Sequence, residues 1–172
     1  MRSLVVYESW FGNTRRIAEE IAAALAHERE VDLVTVDEPL PPLEDVDLLV
    51  VGAPTHIHGL SSKRSREGAL TQGAHGEQGI GVRGWIDALP NGARGPRFAA
   101  FDTRAHKPVM LVGSAARGIA RRMRERGYTL AVEPESYFVE GTPGPLEEGE
   151  LERAAEWGRT LANKVSRAAV MI

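Results

Sequence analysis

Residues 5–21 read VVYESWFGNTRRIAEEI, and this stretch decides the fold. It starts inside a short β-rich run at residues 3–8, which is apolar enough for a strand buried on both faces. It ends inside a helix predicted for residues 13–27, where aliphatic side chains recur every four positions from Ile17. The stretch therefore predicts a strand, a tight turn and a helix in immediate succession.

The turn at residues 9–14, Ser-Trp-Phe-Gly-Asn-Thr, has the chemistry of an anion site. Its hydroxyl and amide side chains lie at a helix N-terminus, where unpaired N–H groups and the helix dipole attract negative charge. Gly12 lets the backbone approach a ligand closely. The turn has no lysine, which excludes the nucleoside-triphosphate loop G-x-x-x-x-G-K-[ST]. Two interpretations stay open on these residues alone: a phosphate site, or a helix merely capped by Asn13 or Ser9.

Strands and helices alternate along the rest of the chain. Further strands are expected at residues 31–36, 47–51 and 98–102, with a last strand in two pieces, 128–132 and 136–140, around Pro134. Helices are expected near residues 65–70 and 83–89, from the N-cap Ser114 to Arg126 with Gly127 closing it, and over residues 147–168.

This order predicts a single α/β domain over residues 1–172, doubly wound, with a parallel sheet and helices on both faces. Ligands of such sheets bind at the carboxyl ends of the strands. Three turns are therefore the candidate site: residues 8–14, 52–60 and 102–113.

Composition excludes several classes of protein. The chain has 172 residues and no cysteine, so thiol catalysis and cysteine-held iron–sulfur clusters are ruled out, and any redox chemistry needs a bound cofactor. The net charge of −3 argues against a nucleic-acid binder. Neither an export signal nor a run of apolar residues long enough for a membrane span is visible, so we expect a cytoplasmic protein without membrane partners.

The charge is unevenly distributed along the chain. Residues 61–127 hold 13 Lys and Arg against 5 Asp and Glu, a balance of +8, and the remainder holds 8 against 19, a balance of −11. Arg117, Arg121 and Arg124 recur at helical spacing in this basic segment. Two interpretations are open: solvated helix faces, or a basic face that meets an anionic ligand or an acidic redox partner.

Residues 5–21 resemble the signature of the flavodoxin family. They have two aliphatic residues and an aromatic, then a hydroxyl at Ser9, a small residue at Gly12, the obligatory threonine at Thr14, and the alanine and aliphatic of the helix. The resemblance extends in order over nearly the whole chain. It implies a flavodoxin-like fold with a five-stranded parallel sheet of order 2-1-3-4-5.

The resemblance also implies FMN as the cofactor, with its phosphate in the first turn and its isoalloxazine ring between the second and third. The implied cofactor-binding residues are Ser9, Trp10, Phe11, Gly12, Asn13 and Thr14, then Pro54, Thr55, His56, Ile57, His58 and Gly59, then Asp102, Thr103 and Arg104. His106 also occupies the third turn.

Two departures from the family pattern stand out. Typical flavodoxins hold the ring between a tryptophan and a tyrosine, and neither flanking turn here contains one. Either the imidazoles of His56 and His58 stack on the ring instead, or the ring is more exposed. Typical flavodoxins are also strongly acidic, whereas the region around this presumed site is the basic part of the chain.

Three functional hypotheses follow from the resemblance. We expect an FMN-binding electron carrier that serves a redox partner protein and has no catalytic or metal-binding residues of its own. An alternative is an FMN-dependent oxidoreductase that takes hydride from NAD(P)H and reduces a quinone. Another is a flavodoxin-like module that has lost FMN.

Two further patterns are weaker. His56 and His58 alternate as metal ligands do, but no carboxylate lies in the same turn. The segment Gly79-Ile80-Gly81-Val82-Arg83-Gly84 fits the dinucleotide pattern G-x-G-x-x-G, but no predicted strand precedes it.

Overall fold

The fold is known from a computed structural model, which describes residues 1–56, 59–71, 73 and 79–170, with side chains described as far as residue 166. Its five-stranded sheet has the order β2-β1-β3-β4-β5, and all pairings are parallel. The strands are β1 (Arg2–Tyr7), β2 (Glu30–Thr35), β3 (Leu48–Pro54), β4 (Arg97–Ala105) and β5 (Glu135–Val139). The predicted doubly wound α/β fold and its strand order are confirmed.

Helices cover both faces of the sheet. They are α1 (Asn13–Leu25), α2 (Lys63–Thr71), α3 (Gly81–Ala88), α4 (Val109–Val112), α5 (Ala115–Glu125) and α6 (Glu150–Val170), with a short 3-10 turn at Gly92–Arg94. One hydrophobic cluster joins α3 and α5 to the sheet, and a second joins α1 and α6 to the opposite face. Successive residues of β1, β3 and β4 point in turn to one cluster and to the other. Because both faces of these central strands are buried, their sequences are unbroken apolar runs.

The structure departs from the sequence prediction at the last strand. Residues 128–132 do not form a strand, and only an isolated bridge joins Leu130 to Phe98. The chain bends after Leu130, and Pro134 has no N–H to continue a ladder. β5 therefore begins at Glu135. The helix α4 was not predicted, because an apolar run of four residues between a proline and a glycine is too short to show helical periodicity.

The chain passes from β1 to β2 on one side of β1 and then crosses to β3 on the other. Because the strands are all parallel, the turns after β1, β3 and β4 lie at the same edge of the sheet, and the reversal of strand order opens a crevice between the turns after β1 and β3. Near the end of β3, Gly52 leaves room for the Phe101 ring of the adjacent strand β4. A Cβ at position 52 would collide with that ring.

Candidate functional site

The backbone of the turn after β1 presents a row of unused donors. None of the N–H groups of residues 9–14 donates a hydrogen bond to any group in the described part of the chain. The neighbouring N–H of Glu8 is taken by the carbonyl of Gly52 (3.0 Å), and that of Arg15 by Ser9 Oγ (3.3 Å). Consecutive free N–H groups in a loop form a concave site for an anion.

The start of α1 adds positive potential to this loop. Gly12 is the N-cap residue, with a left-handed backbone at φ +84° and no side chain to cap the helix, while Ser9 Oγ accepts from the N–H of Arg15 at 3.3 Å. The first turn of α1 contains no acidic residue and carries Arg15 and Arg16 instead. Arg15 is paired with Glu19 at 2.7 Å, so the helix dipole is what favours an anion at the positions that a capping carboxylate takes in many helices.

Thr14 connects the first turn to the third. Its hydroxyl lies 2.7 Å from that of Thr103, and both residues are buried. One of the two hydroxyls donates to the other, which leaves one hydroxyl hydrogen for a further acceptor. Asn13 is held from another side, because its Nδ2 donates to the carbonyl of Pro143 at 2.7 Å.

The aromatic residues of the first turn have a structural role. Trp10 is buried, and it packs with Phe11 against Ala69 and Leu70 of α2. Its indole Nε1 donates to Glu8 Oε1 at 2.8 Å. Trp10 and Phe11 can therefore serve a ligand through their backbone N–H groups, whereas their rings anchor the turn to α2.

A buried carboxylate beneath the turn organises this anchor. Glu8 also accepts from Ser61 Oγ at 2.6 Å and from the N–H of Val82 at 2.9 Å. It thus joins the end of β1 to the segment before α2 and to the first turn of α3. These donors occupy both carboxylate oxygens, so the buried group has its hydrogen bonds within the protein.

The second turn is tied to the third by its backbone. Pro54 ends β3, and the N–H of Thr55 donates to the carbonyl of Thr103 at 2.8 Å. His56 and Gly59 exchange two backbone hydrogen bonds, which close a tight turn. Burial lowers the pKa of the His56 imidazole, and the Arg66 guanidinium acts in the same direction against the opposing effect of Glu8. Ile57 and His58 lie outside the described residues, so stacking by His58 stays a prediction.

Asp102 is the most constrained residue of the third turn. It is fully buried, and its Oδ2 accepts from Ser114 Oγ (2.6 Å), the N–H of Ala116 (2.9 Å) and Thr55 Oγ1 (3.1 Å). Ser114 is the predicted N-cap of α5, and its hydroxyl also accepts from the N–H of Arg117. The other carboxylate oxygen, Oδ1, is buried without a hydrogen-bond partner in the described part of the chain.

The structure brings some of the predicted residues together and turns others away. Thr14, Thr55, Asp102 and Thr103 form one connected group at the carboxyl edge of β3 and β4. Arg104 faces β5 instead, where its Nε donates to Ser136 Oγ at 3.1 Å and its guanidinium lies 5.0 Å from the centre of the Phe138 ring.

His106 also turns towards β5. Its ring stacks on Phe138, with the ring centres 4.0 Å apart, and its Nδ1 lies 3.0 Å from Glu147 Oε2. The sequence prediction missed the loop after β5, where Gly144 approaches the Asn13 side chain so closely that a Cβ would lie 2.6 Å from Nδ2. The glycines and prolines of residues 141–145 were the available signal for a tight turn, but they do not reveal its neighbour.

A family model described as a flavodoxin domain matches residues 4–65, a span that contains β1, the first turn, α1 and β3. The resemblance to the flavodoxin family is confirmed. No curated protein matches the sequence significantly.

Solved flavodoxins share the fold over nearly the whole chain. A flavodoxin from the domain Archaea has a TM-score of 0.65 and 22% identity, covering 96% of this chain and 99% of its own. Oxidised flavodoxin 1 from Bacillus cereus has a TM-score of 0.68 and 19% identity, with coverages of 95% and 98%. A WrbA-like flavodoxin from Agrobacterium tumefaciens has a TM-score of 0.60 and 18% identity, with coverages of 96% and 98%.

Flavodoxins bind a flavin, typically FMN, and the residues of this site fit such a group. The free N–H groups of residues 9–14 suit a phosphate. The unpaired Oδ1 of Asp102 suits a hydroxyl or N–H donor of the same ligand. The described residues contain no group of three His, Cys, Asp or Glu side chains that would hold a metal ion. Within the described ranges no helix is long and apolar enough to cross a membrane.

Proposed function

We propose that this protein is an FMN-binding electron carrier of the flavodoxin type. The observation that carries the proposal is the run of free backbone N–H groups at residues 9–14, set at the start of α1 and flanked by Arg15 and Arg16. A phosphate monoester satisfies several such donors at once, and the helix dipole stabilises its charge.

In this proposal Ser9, Gly12, Asn13 and Thr14 hold the phosphate through backbone N–H groups and hydroxyls. Trp10 and Phe11 contribute N–H groups and fix the turn against α2. Thr55, His56, Gly59, Asp102 and Thr103 stand where the second and third turns would flank the ring. When bound, FMN supplies the electron-transfer chemistry, and the protein supplies placement and electrostatics.

The test compares FMN with riboflavin, which lacks the phosphate. We expect FMN to bind the wild-type protein more tightly, and the Ser9→Ala/Thr14→Ala variant to lose about tenfold in FMN affinity with little change for riboflavin, since two charge-assisted contacts are removed. Isothermal titration calorimetry with both ligands measures this difference. The control is Thr160→Ala on α6, whose exposed hydroxyl donates to the carbonyl of Glu156 at 3.1 Å. An equal loss of affinity for both flavins would place the phosphate elsewhere. If neither flavin bound the wild-type protein, the result would favour the hypothesis of a flavodoxin-like module that has lost FMN.

Steady-state kinetics separate the carrier from the oxidoreductase. We expect the FMN-loaded protein to show no sustained oxidation of NAD(P)H with a quinone as acceptor. Multiple turnovers would favour the oxidoreductase hypothesis and contradict the carrier proposal.

A further inference from the structure

The third turn carries an exposed apolar tip. Helix α4 (Val109–Val112) projects Met110 and Leu111, whose side chains are 94% and 65% exposed. Two neighbouring side chains of this size expose a contiguous apolar area to water, which is unfavourable. Such contiguous patches mark sites of interaction more often than single exposed side chains do. Pro108 and Gly113 bracket the helix, and the N–H of Gly113 donates to the carbonyl of Val109 at 2.7 Å, so the tip is a formed element.

A basic ridge on α5 starts at Arg117, five residues after the end of this tip. Residues 103–124 contain six Lys and Arg and no Asp or Glu. On α5, Arg117, Arg121 and Arg124 share the exposed face, opposite the buried Ala116, Ile119, Ala120 and Met123. At 1.5 Å per residue, the ridge extends about 10 Å down the helix from the carboxyl edge of the sheet.

Most of this charge is not neutralised within the protein. Arg117 and Arg124 make no ion pair in the described part of the chain, and neither does the exposed Lys107. Arg121 approaches Glu125 only at 3.9 Å, with both side chains mostly exposed. The ridge therefore presents a positive potential to an approaching molecule.

We infer that Met110, Leu111 and the ridge Arg117–Arg121–Arg124 form the docking surface for an acidic redox protein. The inference deepens the proposed function, on which it rests, by naming the chemistry of the partner. Such a partner presents carboxylates that match the ridge and an apolar patch that covers the tip, beside the turn that would flank the flavin ring. The charge of this surface is opposite to that of typical acidic flavodoxins, so the partner chemistry is opposite too.

Two other classes of macromolecule fit this surface less well. A membrane-surface element needs a broad apolar face, and α4 exposes only two large side chains. Domains that bind nucleic acid are usually basic overall, whereas this chain has a net charge of −3. A protein partner needs only a local complementary patch.

The test uses two probes of opposite charge, an acidic plant-type ferredoxin and a basic cytochrome c, titrated calorimetrically at low and high salt. We expect the ferredoxin to bind more tightly, and its affinity to fall with salt. The Arg117→Glu/Arg124→Glu variant should bind ferredoxin about tenfold more weakly. The matched control Arg159→Glu/Lys164→Glu makes the same change of charge on exposed positions of α6, across the sheet, and should leave the affinity near the wild-type value. Met110→Ser/Leu111→Ser should weaken binding severalfold at both salt concentrations.

The outcomes are separable from those of the proposed function. FMN affinity is measured on every variant, and ferredoxin binding is measured with and without FMN. A protein that binds ferredoxin through the ridge but fails to bind FMN would contradict the flavin proposal alone. Tighter binding of cytochrome c, or equal losses in the ridge and control variants, would overturn the docking surface. Ridge-dependent binding to phosphatidylserine vesicles without ferredoxin binding would also overturn it, in favour of a lipid surface.

Discussion

Gly12 and Gly68 are surrounded by equally open space but differ in backbone conformation. An added Cβ meets nothing within 4 Å at either position, yet Gly12 has φ +84° and Gly68 lies inside α2. Gly12→Ala should therefore lower the free energy of unfolding by about 1–2 kcal/mol through left-handed strain alone. Gly68→Ala should raise it by about 0.5–1 kcal/mol, because alanine is the better helix former. Urea unfolding measures both, and equal effects would contradict the conformation assigned to Gly12.

His56 makes stability depend on pH. Because burial lowers the pKa of its imidazole, the unfolded chain takes up a proton at a higher pH than the folded chain does. The free energy of unfolding should therefore fall as the pH drops below the ordinary histidine value of about 6.5. His56→Gln should flatten this part of the profile, and His27→Gln, at an exposed position just after α1, is the matched control. Identical profiles for wild type and His56→Gln would show that the imidazole is not buried.

At the scale of elements, Asp102 attaches α5 to the end of β4. The fully buried carboxylate accepts three hydrogen bonds through Oδ2, one of them from a backbone N–H of the first turn of α5. Asp102→Ala leaves these donors unpaired and should lower the free energy of unfolding by about 2–3 kcal/mol. Asp102→Asn keeps an acceptor oxygen, so it should lower the free energy of unfolding by about half as much as Asp102→Ala does.

The control for this prediction is an exposed cap. Asn91 accepts from the N–H of Ala93 at the start of the 3-10 turn, so Asn91→Ala should cost about 1 kcal/mol or less. Thermal or urea unfolding of the three variants gives the comparison. A loss at Asp102→Ala no larger than that at Asn91→Ala would contradict the role of Asp102 as a buried anchor.

The elements that could be predicted from sequence are those whose signal is local. The sheet follows from apolar runs that end in Gly, Pro or polar residues, and α5 from Ser114 before a periodic stretch. The short helix α4 has no period to detect. The prediction of a strand at residues 128–132 was wrong, because strand propensity does not show that the chain bends before Pro134.

The contacts that build the site could not be predicted, because they join residues far apart in sequence. Glu8 bonds to residues 53 and 74 positions away, and Asn13 bonds to one 130 positions away. The composition of residues 9–14 indicates an anion site. It does not show that the indole N–H of Trp10 donates to the Glu8 carboxylate. Nor does it show that Arg104 and His106 face β5.

At the scale of the whole molecule, the sheet divides the hydrophobic core into two clusters. The helices α3 and α5 on one face belong to the basic segment, and α1 and α6 lie on the other face. The turns after β1, β3 and β4 meet at one edge and are linked by Thr14–Thr103 and Thr55–Asp102. The strands that end in these turns contribute residues to both hydrophobic clusters. A ligand that contacts all three turns would therefore touch elements that are anchored in both clusters.

The central claim is that the free N–H groups of residues 9–14 receive the phosphate of a flavin. Two-dimensional amide NMR tests it most directly, with FMN, riboflavin and inorganic phosphate titrated into labelled protein. We predict that FMN shifts the amide resonances of residues 9–14, that phosphate shifts the same resonances more weakly, and that riboflavin moves them least. Binding of FMN that leaves those resonances in place while shifting others would contradict the claim.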